Sequence, residues 1–408
     1  MNTTMWIKNV LLEESLTLNS EQAIETQTGL YHLEIENGRI KQKKEAKETI
    51  EPGLRTIDAK GMLGLPSFKE MHNHLDKTYL SLDWKACQPV SNLKQRLELE
   101  ALELNELAGT AEQRATAMIQ LLQSKGATHI RTHVNIDPYV GLKNLEGIKA
   151  ALEAHSKQLS YDIVAFPQHG LLNSKSDIPK MMKEAMRSGA TMVGGLDPAG
   201  IDRNIERSLD TTVEIATEFD SDIDIHLHDS GQVGFYTIEK LIELTKEAEW
   251  KNRVAVSHAF NLGEAPNAQQ EKIASELAET GIDIMSTIPL TKTMPPIALL
   301  ERKGVNVHFG CDGFYDSWSP YGTGDLLEKV SRYCEVHRKS SERELAKSLK
   351  FITGGIIPLS DNGDLLWPRV GDAADLVFVE ASCSAEAVAR TPKRKAVMFQ
   401  GNLVYGEL

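Results

Sequence analysis

LGLPSFKEMHNHL, residues 63–75, is a short apolar run that ends in two histidines separated by one residue. Seven comparable β-rich runs follow it: THIRTHVNI (128–136), YDIVAFPQ (161–168), ATMVGGLD (190–197), DIDIHLHD (222–229), RVAVSHAF (253–260), IDIMSTIP (282–289) and NVHFGCDG (306–313). A helical stretch fills each gap. AEQRATAMIQLLQSKG (111–126) is the clearest, because Ala115, Met118, Ile119 and Leu122 recur at i, i+3, i+4 and i+7 and line one face. Gly126 stands where a helix C-cap glycine belongs. IPKMMKEAMRSG (178–189), FYTIEKLIELTKEAEW (235–250) and ASELAETG (274–281) continue the alternation. Strands alternating with helices pair in parallel, and eight such units over about 250 residues predict an α/β chain with a (β/α)8 TIM barrel. An open doubly wound sheet would carry a glycine-rich phosphate turn after its first strand, and this chain has none.

The two ends read differently. MWIKNVLL, YHLEIENGRIKQ and TIDAKGMLGLP near the start, and ADLVFVEA and KAVMFQGNLVYG near the end, are short strands joined by turns. Asn37-Gly38 between alternating runs is a hairpin signal, and a Gly401-Asn402 turn is expected near the C-terminus. Residues 1–62 and 357–408 therefore predict one small β-sandwich domain built from both termini, around a barrel of 63–356. TYLSLDWKACQPVSNLKQRLELEALELNELAG (78–109) is far longer than an ordinary βα loop. It reads either as a lid or as a helix packed on the barrel rim or a neighbouring subunit.

The chain has 408 residues, of which 41% are hydrophobic and 25% charged, and a formal net charge of −13. That charge repels nucleic-acid backbones and anionic membranes, so a small molecule is the expected partner. No segment approaches the roughly 18 apolar residues of a membrane span, and the start lacks a signal-peptide core. Cys87, Cys311, Cys334 and Cys383 form no CxxC pair, which suits a reducing cytoplasm.

Histidines and acids gather at the C-terminal ends of the runs, where such barrels place their catalytic groups. In a strand, His72 and His74 point to one face, about 6.6 Å apart along the chain. His226 ends the fifth run, His258 the sixth and Asp312 the eighth. Nitrogen and carboxylate ligands of this kind suit zinc first and ferrous iron second. A second metal would need a bridging lysine at the end of the fourth run, which ends instead in Asp197. One divalent ion held by His72, His74, His226 and Asp312 is therefore expected, with His258 beside it. Gln168 can donate and accept, and so could read a ring amide edge or simply satisfy the rim. Trp318 could wall a flat heterocycle or be plain packing. His133 is expected to make a structural hydrogen bond.

The order HNH, RTHVN, IVAFPQ, VSH and FGCDGFYDSWSPYGTGDLL (309–327) resembles the amidohydrolase superfamily, in its cytosine deaminase-like branch. HLDK (74–77), GGLDPAGIDRNIERSLD (194–210) and DIHLHDSGQVGFYTI (224–238) are similar to segments of its triazine-degrading members. The resemblance spans nearly the whole chain. It implies an assembly of identical copies and a hydrolase that attacks a C–N bond of a pyrimidine or triazine with metal-activated water. Asp312 would accept the water proton and pass it to the leaving nitrogen, and His258 would bond the tetrahedral centre. It also brings Lys77 and Asp197 forward as substrate contacts, or as an ion pair with each other. Cytosine deaminases carry a proton-carrying glutamate three residues after the fifth-strand histidine; this chain has Asp229 there as the corresponding catalytic acid, preceded by His228, and Gly313 follows Asp312 where they have a second aspartate. Both departures point away from cytosine itself. A cyclic-amide or N-acyl amidohydrolase is the alternative, distinguished by a ring-opened acid product. An inactive structural relative should have lost metal ligands, and all the expected ones are present.

Overall fold

A computed structural model of the chain describes residues 4–172 and 176–408. Its strands form two sheets. The first takes β1 (Thr4–Leu18), β2 (Ile24–Glu36), β3 (Arg39–Glu45), β4 (Arg55–Asp58) and β5 (Leu63–Pro66) from the start of the chain. The second holds β6 (Phe68–Asn73), β7 (Ala127–Asn135), β8 (Ser160–Phe166), β9 (Met192–Leu196), β10 (Asp222–Leu227), β11 (Val254–His258), β12 (Asp283–Ser286) and β13 (Val307–Phe309). These eight are parallel neighbours in chain order, from β6 to β13. Helices lie between successive strands, among them Ala111–Ser124, which buries Ala115, Met118, Ile119 and Leu122. Strands covered on both faces bury every position, as β9 and β11 do.

The barrel is nearly closed at a seam that carries two of the expected ligands. A parallel bridge joins Asn73 to Asp312, and the Asp312 N–H donates to the His72 carbonyl at 2.8 Å. A side chain at Gly310 would put its Cβ 2.5 Å from the His72 Cβ. Glycine at that position is what lets the eighth strand reach the first.

The terminal sheet runs β16-β15-β14-β5-β1-β2-β3, with β4 on β1; β14 is Leu376–Val379, β15 Arg394–Phe399 and β16 Asn402–Gly406. Strands from both ends of the chain thus share one core, including Val10, Leu12, Leu33, Leu376 and Phe378. Asn37 and Gly38 both take positive φ (51° and 76°), as the two central residues of a type I′ turn require. The C-terminal hairpin turns at Gln400 and Gly401 (φ 47° and 76°), one residue earlier than the expected Gly401-Asn402. The run 63–75 divides between the sheets. Leu63–Pro66 pairs with β14, and the chain enters the barrel after Ser67. The sheets therefore part at Ser67 rather than after residue 62, a break hidden because Ser67 alone separates the two strands.

Within the insert, helix α1 (Leu93–Leu107) starts at Asn92, whose side chain accepts from the Gln95 N–H. Arg114 ties the insert's root down by donating to the carbonyls of Asp76 and Thr78, each at 2.7 Å. No helix among the described residues is long and apolar enough to cross a membrane.

Candidate metal centre

β6 ends in His72 and Asn73, and β10 presents His226 one residue before its end. The Nε2 atoms of His74 and His226 lie 3.3 Å apart, and Asp312 Oδ1 is 3.6 Å from His72 Nε2 and 3.5 Å from His74 Nε2. Two imidazole nitrogens so close cannot both aim a hydrogen at each other. Burial first, and then neighbouring cationic or imidazole groups, hold His74 and His226 well below the ordinary histidine pKa. They are neutral, with lone pairs available. At Asp312 burial alone would raise the pKa, but His72, His258 and His74 outweigh it and keep the carboxyl well below its usual range. Neutral imidazoles facing a carboxylate are the donor set of zinc and ferrous iron.

His72 is braced from behind. Its Nδ1 meets Ser257 Oγ at 2.8 Å, and Ser257 donates to Asp224 at 2.7 Å. That chain fixes the ring and leaves Nε2 buried without a hydrogen bond, free for a cation. Ligating atoms of His72, His258 and Asp312 lie within 4.8 Å of one another, as do those of His72, His133 and His226. His133 therefore departs from the sequence expectation. Neither of its ring nitrogens has a hydrogen-bond partner, the Asp224 carboxylate is 3.8 Å away, and its ring sits 4.4 Å from that of His226.

Three non-glycine residues of this region have positive φ: His258 (71°) and Asp312 (66°) at the centre, and Asp197 (38°), whose carboxylate holds His228. Each such residue costs about 1–3 kcal/mol and persists where its surroundings enforce it. Above the histidines opens a cavity of about 200 Å³, whose wall includes Lys77, Phe166, Gln168, His228, His258 and Trp318. Lys77 donates to Gln168 Oε1 at 2.5 Å. Lys77 and Asp197 do not pair with each other: Lys77 faces Glu100 at 3.1 Å, and Asp197 accepts from His228 Nδ1 at 2.9 Å.

The chain turns after Leu227, so the strand alternation that places His226 says nothing about the next two residues. His228 faces the cavity, with its ring 4.3 Å from that of His258. Burial would strip its charge, but the Asp197 carboxylate raises its pKa overall. Asp229 lies outside the cavity wall, its carboxylate accepting the N–H groups of Ala199 and Gly200 at 3.0 and 3.1 Å. Past His228 and Trp318 lies an outer chamber of about 480 Å³ bounded by Leu93, Leu97, Leu196, Ile201 and Phe260. Glu100 is the member of this region that the sequence pattern did not single out, while His133 was expected only as a structural residue and His228 only as the neighbour of Asp229.

The model of the amidohydrolase family matches residues 55–160 and 165–405. The uncharacterised protein YahJ of Escherichia coli strain K12 is 40% identical over 406 residues, covering 99% of this chain and 88% of that protein. An N-isopropylammelide isopropyl amidohydrolase of Pseudomonas sp. strain ADP is 31% identical over 362 residues, covering 85% and 87%. Among solved structures, N-isopropylammelide isopropylaminohydrolase of Burkholderia multivorans matches with a TM-score of 0.86, 28% identity and 99% coverage of both chains. A 5-methylcytosine deaminase of Klebsiella pneumoniae matches with a TM-score of 0.80 and 26% identity, covering 99% of this chain and 98% of its own. With the seam, the histidines and the matches agreeing, the chain belongs to the amidohydrolase family, in its cytosine deaminase-like branch, and is a hydrolase of carbon–nitrogen bonds.

Proposed function

We propose that this chain is a metal-dependent aminohydrolase of a nitrogen heterocycle of pyrimidine or triazine type. The observation that carries the proposal is the approach of His74, His226 and Asp312 in the wall of a cavity sized for one ring, with the buried His72 Nε2 3.6 Å from Asp312 Oδ1. Those four residues would hold a divalent cation, zinc first and iron second, which would supply the Lewis acidity that makes water a nucleophile near neutral pH. Asp312 accepts the proton of the attacking water and returns it toward the leaving nitrogen. His258 bonds the attacking oxygen as the tetrahedral centre forms and stabilises the charge that develops there.

His228 takes the proton-carrying duty expected of Asp229. Its Nδ1 is occupied by Asp197, which leaves Nε2 for the cavity the ring lines. Gln168 and Lys77 present an amide and an ammonium to the ring's polar edge, with Trp318 and Phe166 as aromatic walls. The names of the ammelide and methylcytosine relatives support a heterocyclic substrate. The outer chamber, where Leu93, Leu97, Leu196, Ile201 and Phe260 stand among polar groups such as Glu264 and Lys292, is large enough to take an N-alkyl substituent, so amine release is tested beside ammonia release. The test is a screen of N-alkylamino and amino triazines and pyrimidines with metal-replete protein, following amine and ammonia. Release that stops on chelation is expected. A ring-opened acid product would favour the cyclic-amide alternative, and absence of turnover across the set would overturn the proposal.

A further inference from the structure

The helix segment LELEALELNEL (97–107) has the polar texture of a solvated face, yet the Glu100 side chain is only 1% exposed. A desolvated carboxylate is costly unless it is paired, and packing against a rim does not call for one. Glu100 Oε1 lies 3.1 Å from Lys77 Nζ and accepts from Trp318 Nε1 at 2.9 Å. Its Oε2 is buried with no hydrogen-bond partner. Lys77 in turn holds Gln168, and Lys77, Gln168 and Trp318 all line the cavity over the metal ligands. One carboxylate behind the wall thus joins two of its polar groups directly and a third through the lysine.

We propose that Glu100, delivered by the insert, is a positioning residue that fixes Lys77 beside Gln168 and Trp318, so that the insert completes the substrate site. Burial alone would discharge Lys77, but the nearby carboxylates of Glu100 and Asp76 hold its pKa above the ordinary lysine value. The catalytic half of this inference rests on the aminohydrolase reading; the pairing itself does not.

Two measurements separate them. E100Q keeps the side chain's shape and an oxygen for Trp318 but removes the charge. Peptide-mapped acetylation by acetic anhydride at pH 8.5, with Tm and bound metal as controls, is expected to modify Lys77 at least about tenfold faster in E100Q than in wild type. Equal rates would overturn the pairing. With the heterocycle found to be turned over, E100Q should lower kcat/KM roughly ten- to a hundredfold, mainly through KM, and E100D should recover part of it. In a K77M background the same Glu100→Gln change should have no further effect. A loss of equal size in both backgrounds, or a lower Tm with unchanged kcat/KM, would make Glu100 a packing residue only. If wild type turns over no heterocycle, the aminohydrolase reading falls and lysine reactivity alone decides the pairing; if E100Q does not fold, E100A, which also removes the charge, carries the same comparison.

Discussion

Glu70, Arg131 and Asp224 each lie two residues before a histidine of the site, His72, His133 and His226, on β6, β7 and β10. Residues two apart on a strand share a face, so the barrel interior has a lower polar layer and an upper one on the same strands. The lower layer is paired. Glu70 accepts the N–H groups of His72 and Cys311, while Arg131 spans Asp162 and Asp224, each at 3.2 Å. The upper layer is bare: His72 Nε2, His226 Nδ1, His258 Nδ1 and both nitrogens of His133 are buried without partners. Buried polar groups in proteins are nearly always bonded, and exceptions ask for a ligand or a function. Folding therefore completes its bonds in the floor and leaves them open in the ring above.

That contrast can be broken by mutation. D312N, in the upper layer, should lower turnover on the order of a thousandfold or more while leaving the urea midpoint of chelated protein close to wild type. Retained turnover would remove Asp312 from the chemistry. R131M, in the lower layer, leaves the buried Asp224 carboxylate without its charge partner and should cost about 3–5 kcal/mol of unfolding free energy. A loss below about 1 kcal/mol would erase the distinction between layers.

Asp162 sharpens it through pH. Burial pushes its carboxyl up, but His129 and then Arg131 pull it down from 3.8 to about 2. A folded pKa below the unfolded one stabilises the fold above about pH 4, and that contribution drains away as pH falls toward 2. The gap in unfolding free energy between wild type and D162N should be about 1–2 kcal/mol at pH 6 and smaller at pH 3; an unchanged gap would contradict the pairing. D229N should change kcat/KM least, by under about threefold, because its carboxylate serves backbone N–H groups of the neighbouring loop. A tenfold loss would return the proton-carrying role to Asp229.

Much of the site was legible because strand periodicity transmits direction: H-x-H on one run, and single histidines ending two others, give the face and the level. Periodicity stops where strands stop. His228 lies just past β10 and is turned to the cavity by its bond to Asp197, a residue at positive φ. No local pattern announces that geometry. Glu100 was hidden for the opposite reason, since its helix looks solvated and only tertiary contact buries it. The break at Ser67 was invisible because two strands of different sheets adjoin within one run with a single residue between them.

The account depends on the upper layer holding a single cation. Anomalous X-ray scattering from crystals of protein supplied with zinc would test this most directly. One peak about 2.0–2.2 Å from nitrogens of His72, His74 and His226 and an oxygen of Asp312 is the predicted result. A barrel mouth without a peak, or a peak bound elsewhere, would contradict it.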